Sequence, residues 1–149
     1  MMTQGCEYSV KDVKLDERGL YNVGELHLID IAGQMIFKEI TFDLCQKANQ
    51  VMLVYDVTNP DSFQLVRTWY DSIKAQNPGK QFTGVVVANK VDLEQKHQVY
   101  AHDGQEFARS IGFAYIEVSA LHSKNIEDPF KALANSFFDK YQQKVERLK

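Results

Sequence analysis

The chain has 149 residues, 44% of them hydrophobic and 25% charged, with a net charge of −3. These are values for a single globular domain with chain enough to bury a core, and the mild acidity gives no reason to expect nucleic acid or an anionic membrane as partner. No apolar run approaches the roughly 20 residues of a membrane span, and the opening "MMTQGCEYSV" lacks the basic region and apolar core of a secretory signal.

Cys6 and Cys45 show neither metal spacing nor a disulfide framework, so free thiols in a reducing, cytoplasmic setting are expected. The last residues, "YQQKVERLK", hold no cysteine, and no lipid anchor is expected.

Along the chain, "EYSVKDVKL" (7–15) alternates loosely and predicts a strand. "DERG" (16–19) is turn chemistry, and "LYNVGELHLID" (20–30) predicts the return strand of a hairpin. "MIFKEITFDLCQK" (35–47) has helical spacing. "QVMLVYDV" (50–57) is a near-continuous apolar run, the pattern of a strand buried on both faces. A helix follows over 58–76, capped by Asn59 or Asp61, with Phe63, Val66, Trp69, Tyr70 and Ile73 on one stripe. "FTGVVVANK" (82–90) predicts a second buried strand. "DGQEFARSIG" (103–112) predicts a short helix stopped by Gly112, and "FAYIEVS" (113–119) a third strand. A long amphipathic helix is expected over 125–148, with Pro129 in its opening and Phe130, Phe137 and Phe138 in the core. His27 falls in a strand and His97, His102 and His122 in loops, with no metal-binding cluster. The basic residues Lys140, Lys144, Arg147 and Lys149 are interleaved with glutamines and a glutamate, as on a solvated helix face.

Strands alternating with helices predict an α/β domain with a largely parallel sheet, and ligands in such sheets sit beyond the carboxyl ends of the strands. In "NKVD" (89–92) the Asp92 carboxylate can accept two parallel hydrogen bonds. Guanine offers two neighbouring donors on one edge and adenine does not, so such a site rejects the wrong base by leaving acceptors unpaired. Asn89 can bond the purine or tie loops together, and the Lys90 stem can lie along the base. The same four residues also suit a plain polar loop. "SAL" (Ser119, Ala120, Leu121) follows the next strand and offers a hydroxyl and an N–H to the same base, or simply a turn. In "DIAGQ" (30–34), Asp30 can hold a magnesium ion through water. The Gly33 N–H can approach a terminal phosphate, and Gln34 can orient a water for phosphoryl transfer. Asp30 as a helix cap is the simpler alternative.

Taken together, at successive strand ends and in this order, "DIAGQ", "LVYDVT" (53–58), "NKVDL" (89–93) and "EVSA" (117–120) resemble the small GTPase superfamily, its Rab-like branch in particular. The opening "TQG" (3–5) looks like that family's switch threonine. "FTGVVVANKVDL" and "EDPFKALANSFFDKYQQKVE" are similar to the Rab-like GTPases of intraflagellar transport complex B. Two further features fit them: Ile29 where transport Rabs carry tryptophan, and the tail without prenylation cysteines. The resemblance implies a Ras-like fold, a mostly parallel sheet with helices on both faces. It implies GTP or GDP bound with Mg2+ by Thr3 and Asp30 (metal), by Gly33, Asn89, Lys90, Asp92, Ser119, Ala120 and Leu121 (nucleotide), and by Gln34 (catalytic). It also implies protein partners within complex B, including its small jelly-roll subunit, and a place in the cytoplasm and cilium. A vesicle-trafficking Rab is the alternative within the branch.

The sequence departs from the family in one large respect. G-x-x-x-x-G-K-[ST], the loop that cradles the phosphates, occurs nowhere in these residues; "PGKQ" (78–81) lacks its first glycine and final hydroxyl. With it go the preceding strand and following helix, a unit of roughly 30 residues. By resemblance that strand is the centre of the sheet, between the strand ending at Asp30 and the strand from Gln50. Either the sequence starts at an internal methionine of a longer protein, or it is a short form that binds partners without nucleotide. The intact guanine motif favours the first. Leu121 stands where the family has a lysine, and Met35 and Ile36 replace a charged pair, which offers an apolar surface to a partner or packs under the helix.

The domain is therefore expected to be incomplete, with two strands short of a ladder partner. Each unpaired buried backbone group costs about 1–3 kcal/mol, against a whole-domain stability of about 5–15 kcal/mol. Urea unfolding of the purified chain is expected to be shallow or multiphasic; one steep transition with a slope normal for this length contradicts the expectation.

Overall fold

A computed structural model describes residues 5–15, 23–32, 43–44 and 46–148. They contain five strands: β1 (Cys6–Lys14), β2 (Val23–Ile31), β3 (Gln50–Asp56), β4 (Thr83–Asn89) and β5 (Ala114–Glu117). Among the described residues the longer helices are α1 (Pro60–Gln76), α2 (Ala101–Ile111) and α3 (Asp128–Glu146), with a 3-10 turn at Glu94–Lys96. Element types agree with the sequence reading, with ends shifted by at most three residues. Residues 43–44 and 46–47 of the helix expected over 35–47 are helical; the rest of it, and the 16–19 turn, lie outside the described residues. His102, expected in a loop, sits in the first turn of α2. No helix of the described residues is long and apolar enough to cross a membrane.

The chain divides into two compact units. In the first, residues 1–48 and 134–149, β1 and β2 pair antiparallel from Cys6–Ile31 to Lys14–Val23. The ladder continues past the strands, where the Ala32 N–H donates to the Gly5 carbonyl at 2.9 Å. One face of this hairpin buries Val13 and partly covers Leu26 and Leu28, while the other leaves Tyr8, Val10 and Ile29 exposed. Phe137, expected in the core, is 48% exposed: the apolar spacing of α3 continues past Leu133 and Ala134, but the described residues do not cover it.

In the second unit, residues 49–133, β4 lies between β3 and β5 in a parallel sheet. Two ladders and two covered faces leave β4 no solvent side, so Val85, Val86, Val87 and Ala88 are all buried and the strand shows no alternation. β3 was expected to be buried on both faces and is not. Leu53 and Tyr55 are buried but Val54 is 50% exposed, because β3 is an edge strand among the described residues and one face is open at Val54.

The core on one side of this sheet is aromatic. Tyr55 packs on Phe63 at 4.9 Å between ring centroids, Phe63 meets Phe107 edge-on at 5.9 Å, and Tyr70 meets Phe113 edge-on at 5.6 Å. On the other side Val85 and Val87 pack with Val118 and Leu133. Trp69, Phe130 and Phe138 are only partly buried.

Helix ends follow local chemistry. Asn59 caps α1, its side-chain oxygen accepting from the Asp61 and Ser62 N–H groups at 3.0 and 3.4 Å, and Pro60 takes the first helical position. Gly112 ends α2 at φ +72°, the left-handed conformation that glycine adopts without strain. Gly104, inside α2, lets the helix lie directly on the sheet: a β-carbon there would strike the Tyr55 hydroxyl and come within 2.6 Å of Tyr115 Cε2. Gly104→Ala is therefore expected to lower stability by about 1–3 kcal/mol, the usual cost of overpacking. The check is the urea midpoint at unchanged slope; an unchanged midpoint rejects this packing.

Candidate functional site

The loops after β3, β4 and β5 are knitted together at the carboxyl ends of the strands. The Val57 N–H donates to the Asn89 carbonyl at 3.0 Å, and the Val91 N–H to the Val118 carbonyl at 3.3 Å. Backbone bonds thus join the first loop to the second and the second to the third before any side chain is considered.

Asn89 adds a side-chain tie. Its Oδ1 accepts from the Lys90 N–H at 2.7 Å and from the Ala120 N–H at 3.1 Å, holding the loop after β4 against the loop after β5. Of the two roles open to Asn89 in the sequence, the structure shows loop-tying. Lys90 then turns the chain at φ +67°, a left-handed conformation uncommon for a residue with a β-carbon. That turn sends Asp92 back toward the third loop, where the fully buried Ser119 donates its hydroxyl to Asp92 Oδ1 at 2.5 Å. Ser119 is itself fixed by two backbone bonds with Lys124, at 3.1 and 3.0 Å. Asn125 closes the same loop by donating to the Glu117 carbonyl at 3.0 Å.

The Ser119 hydrogen bond holds the Asp92 carboxyl below the usual aspartate range. Partial burial opposes it, and the nearby His122 and His97 reinforce it. The carboxylate is thus charged at neutral pH and anchored by one oxygen, while its other oxygen, Oδ2, lies 3.9 Å from His122 Nε2. Such a group can accept two parallel donors from a planar ligand edge.

The first loop contributes a pair that the sequence did not reveal. Asp56 Oδ2 meets the Lys90 ammonium at 2.6 Å, and its Oδ1 accepts from the Thr58 N–H and hydroxyl at 2.8 and 2.7 Å. The Lys90 stem is thereby held across the strand ends. Residues 56 to 58 stood out only as a strand end; an aspartate two residues before a threonine is the available signal, since that spacing favours a local turn. His122 was equally hidden, read as a loop histidine outside any cluster. Its N–H donates to Ser119 Oγ at 3.1 Å.

Asn89, Lys90, Asp92, Ser119 and Ala120 are therefore brought together as the sequence reading expects. Leu121 follows them in the chain but is 79% exposed. Asp30, near the end of β2 opposite Glu7, is exposed and belongs to the other unit. Thr3, Gly33 and Gln34 lie outside the described residues. Among the described residues no three histidine, cysteine or acidic side chains are grouped to hold a metal.

Asp56 gives a pH prediction. Burial raises its pKa, but hydrogen bonds from Lys90 and Thr58 outweigh that, so the carboxyl titrates below its ordinary value of 3.8. A depressed folded-state pKa adds stability above the unfolded value and loses it as pH falls through the folded one. Asp56→Asn is expected to cost about 1–2 kcal/mol at neutral pH, with the gap to the parent closing below about pH 4. Urea midpoints across pH check this; a gap constant down to strong acid contradicts it.

Residues 1–139 match the Ras family. The intraflagellar transport protein 27 homolog of Homo sapiens is 35% identical over 145 residues, covering 97% of this chain and 77% of the relative. That of Trypanosoma brucei brucei is 28% identical over 148 residues, covering 99% and 78%. The Ras-related protein Rab-8A of Gallus gallus is 33% identical over 144 residues, covering 97% and 67%. With a family match across nearly its whole length and the expected parallel α/β sheet in place, the chain belongs to the Ras family.

Proposed function

We propose that this protein is a Rab-like small GTP-binding protein of intraflagellar transport, acting as a guanine-nucleotide switch or assembly subunit. The observation that carries the reading is the tied cluster at the strand ends. Asn89 locks two loops together, and a charged Asp92 stands anchored by Ser119 with two acceptor oxygens. Two neighbouring donors on a planar ring, the guanine edge, fit that carboxylate. The intraflagellar place rests on the two intraflagellar relatives. On this reading residues 1–149 form one incomplete small-GTPase domain. Its partners are proteins of an intraflagellar transport complex, including the small jelly-roll subunit, and it works in the cytoplasm and cilium.

Within the same proposal, Lys90 flanks the base along its methylene stem, with Asp56 holding its ammonium. Ala120 and Leu121 would continue the base loop, Thr3 and Asp30 would hold Mg2+, Gly33 would meet the terminal phosphate, and Gln34 would orient the attacking water once a phosphate cradle is supplied. A bound Mg2+ would supply charge neutralisation at the phosphates. Phosphate binding is the weak half, because no G-x-x-x-x-G-K-[ST] is present to surround the phosphates with N–H groups. Nucleotide affinity of these residues alone is thus impaired, and hydrolysis by them is not expected. The same observation favours a second reading, a nucleotide-free interaction module that keeps the Rab-like surface.

Fluorescent GDP titration separates the two. The switch reading expects weak, saturable binding with preference for guanine over adenine. Asp92→Asn is expected to lose roughly tenfold or more in GDP affinity and to gain affinity for xanthosine diphosphate, whose carbonyl accepts from the new amide. Absence of GDP binding up to millimolar concentration contradicts the switch reading and favours the module.

A further inference from the structure

The proposed base-reading carboxylate has a neighbour that the guanine site does not require. His122 is three residues beyond Ser119, and its backbone N–H is bonded to the same Ser119 hydroxyl that anchors Asp92. That shared hydroxyl places the imidazole beside the carboxylate, with Nε2 at 3.9 Å from Oδ2. Ser119 already occupies Oδ1. Oδ2 is therefore the oxygen with more open capacity, and it is the one His122 faces. The histidine side chain is 65% exposed, so it can approach or leave without disturbing the fold, whereas the Asp92 side chain is only 13% exposed and stays fixed.

We propose that His122 is a built-in competitor for Asp92: in its protonated form it closes on Oδ2, neutralises the carboxylate and weakens guanine binding at the same oxygens. The inference rests on the guanine reading of Asp92 and adds its regulation. Neutral imidazole leaves the carboxylate its charge, so the base binds best when the ring is unprotonated and loses affinity as the ring gains its proton. The other groups around the pair act in known directions. Among the described residues, Asp92 is the anion that lies against the ring. His97 has its Nε2 at 3.2 Å from the Val91 carbonyl. Lys90 is engaged by Asp56, Lys124 faces the loop through backbone bonds, and Glu117 accepts from the Tyr115 hydroxyl at 3.0 Å. His97 also affects Asp92, so it must be held constant in the test.

The experiment has two arms. In the first, NMR follows the His122 ring signal through a pH titration in the parent chain and in Asp92→Asn, without nucleotide. Removing the carboxylate is expected to change the pH response of the His122 ring signal more than that of His97; an unchanged His122 response overturns the pairing. In the second, fluorescent GDP affinity is measured at about pH 8 and about pH 6 for the parent and His122→Gln. The parent is expected to weaken by roughly two- to fivefold at the lower pH, the range for an exposed ion pair, and His122→Gln to weaken less. Equal weakening in both, or none in the parent, overturns the proposal. If GDP binds at neither pH, the guanine reading fails and with it the competition; the first arm then shows whether the ion pair survives as a purely structural contact.

Discussion

The candidate site depends on the burial of β4. Val85 to Ala88 lie between two parallel ladders and are covered on both faces, so this strand cannot slip or twist without exposing its core residues. Its last residue is Asn89. The strand therefore delivers that side chain to one place, and the backbone bonds from Val57 and to Val118 bring the neighbouring loops to meet it. Each single bond at such a junction contributes about 1 kcal/mol. Their value lies in convergence: a loop held at both ends and in its middle keeps Asp92 in position before any ligand arrives, which lowers the ordering cost of binding.

The charges are placed with the same economy. Asp56 and Asp92 stand at adjacent strand ends and would repel if left bare. Asp56 is neutralised by Lys90 and hydrogen-bonded by Thr58, whereas Asp92 is anchored by a neutral hydroxyl and keeps its charge. Only the second arrangement leaves a carboxylate available to an incoming donor pair. This separates a structural aspartate from a recognition aspartate, although both sit beyond parallel strands and both are held in the charged form.

Much of this was legible in the sequence. A continuous apolar run from Gly84 to Ala88 bounded by Thr83 and Asn89 identifies a buried strand, and Gly112 marks the end of a helix. "NKVD" and "SAL" are readable because chemistry at a parallel strand end has few places to go. What the sequence hides is pairing between distant side chains. The Asp56–Lys90 ion pair and the contact of His122 with Asp92 depend on loop geometry, here a left-handed Lys90, that no local pattern encodes. Val54 and Phe137 show the other limit. Their apolar spacing predicts burial, but burial needs a covering partner, and periodicity says nothing about whether one is there.

On the proposed reading, the loops after β4 and β5 form a preassembled guanine-reading edge. Its most direct test is a two-dimensional NMR titration of the chain with GDP, with ADP as control. Preassembly predicts shifts concentrated at the Lys90, Asp92, Ala120 and His122 amides with GDP, and much smaller ones with ADP. Equal shifts with both nucleotides, or none at these residues, would contradict it.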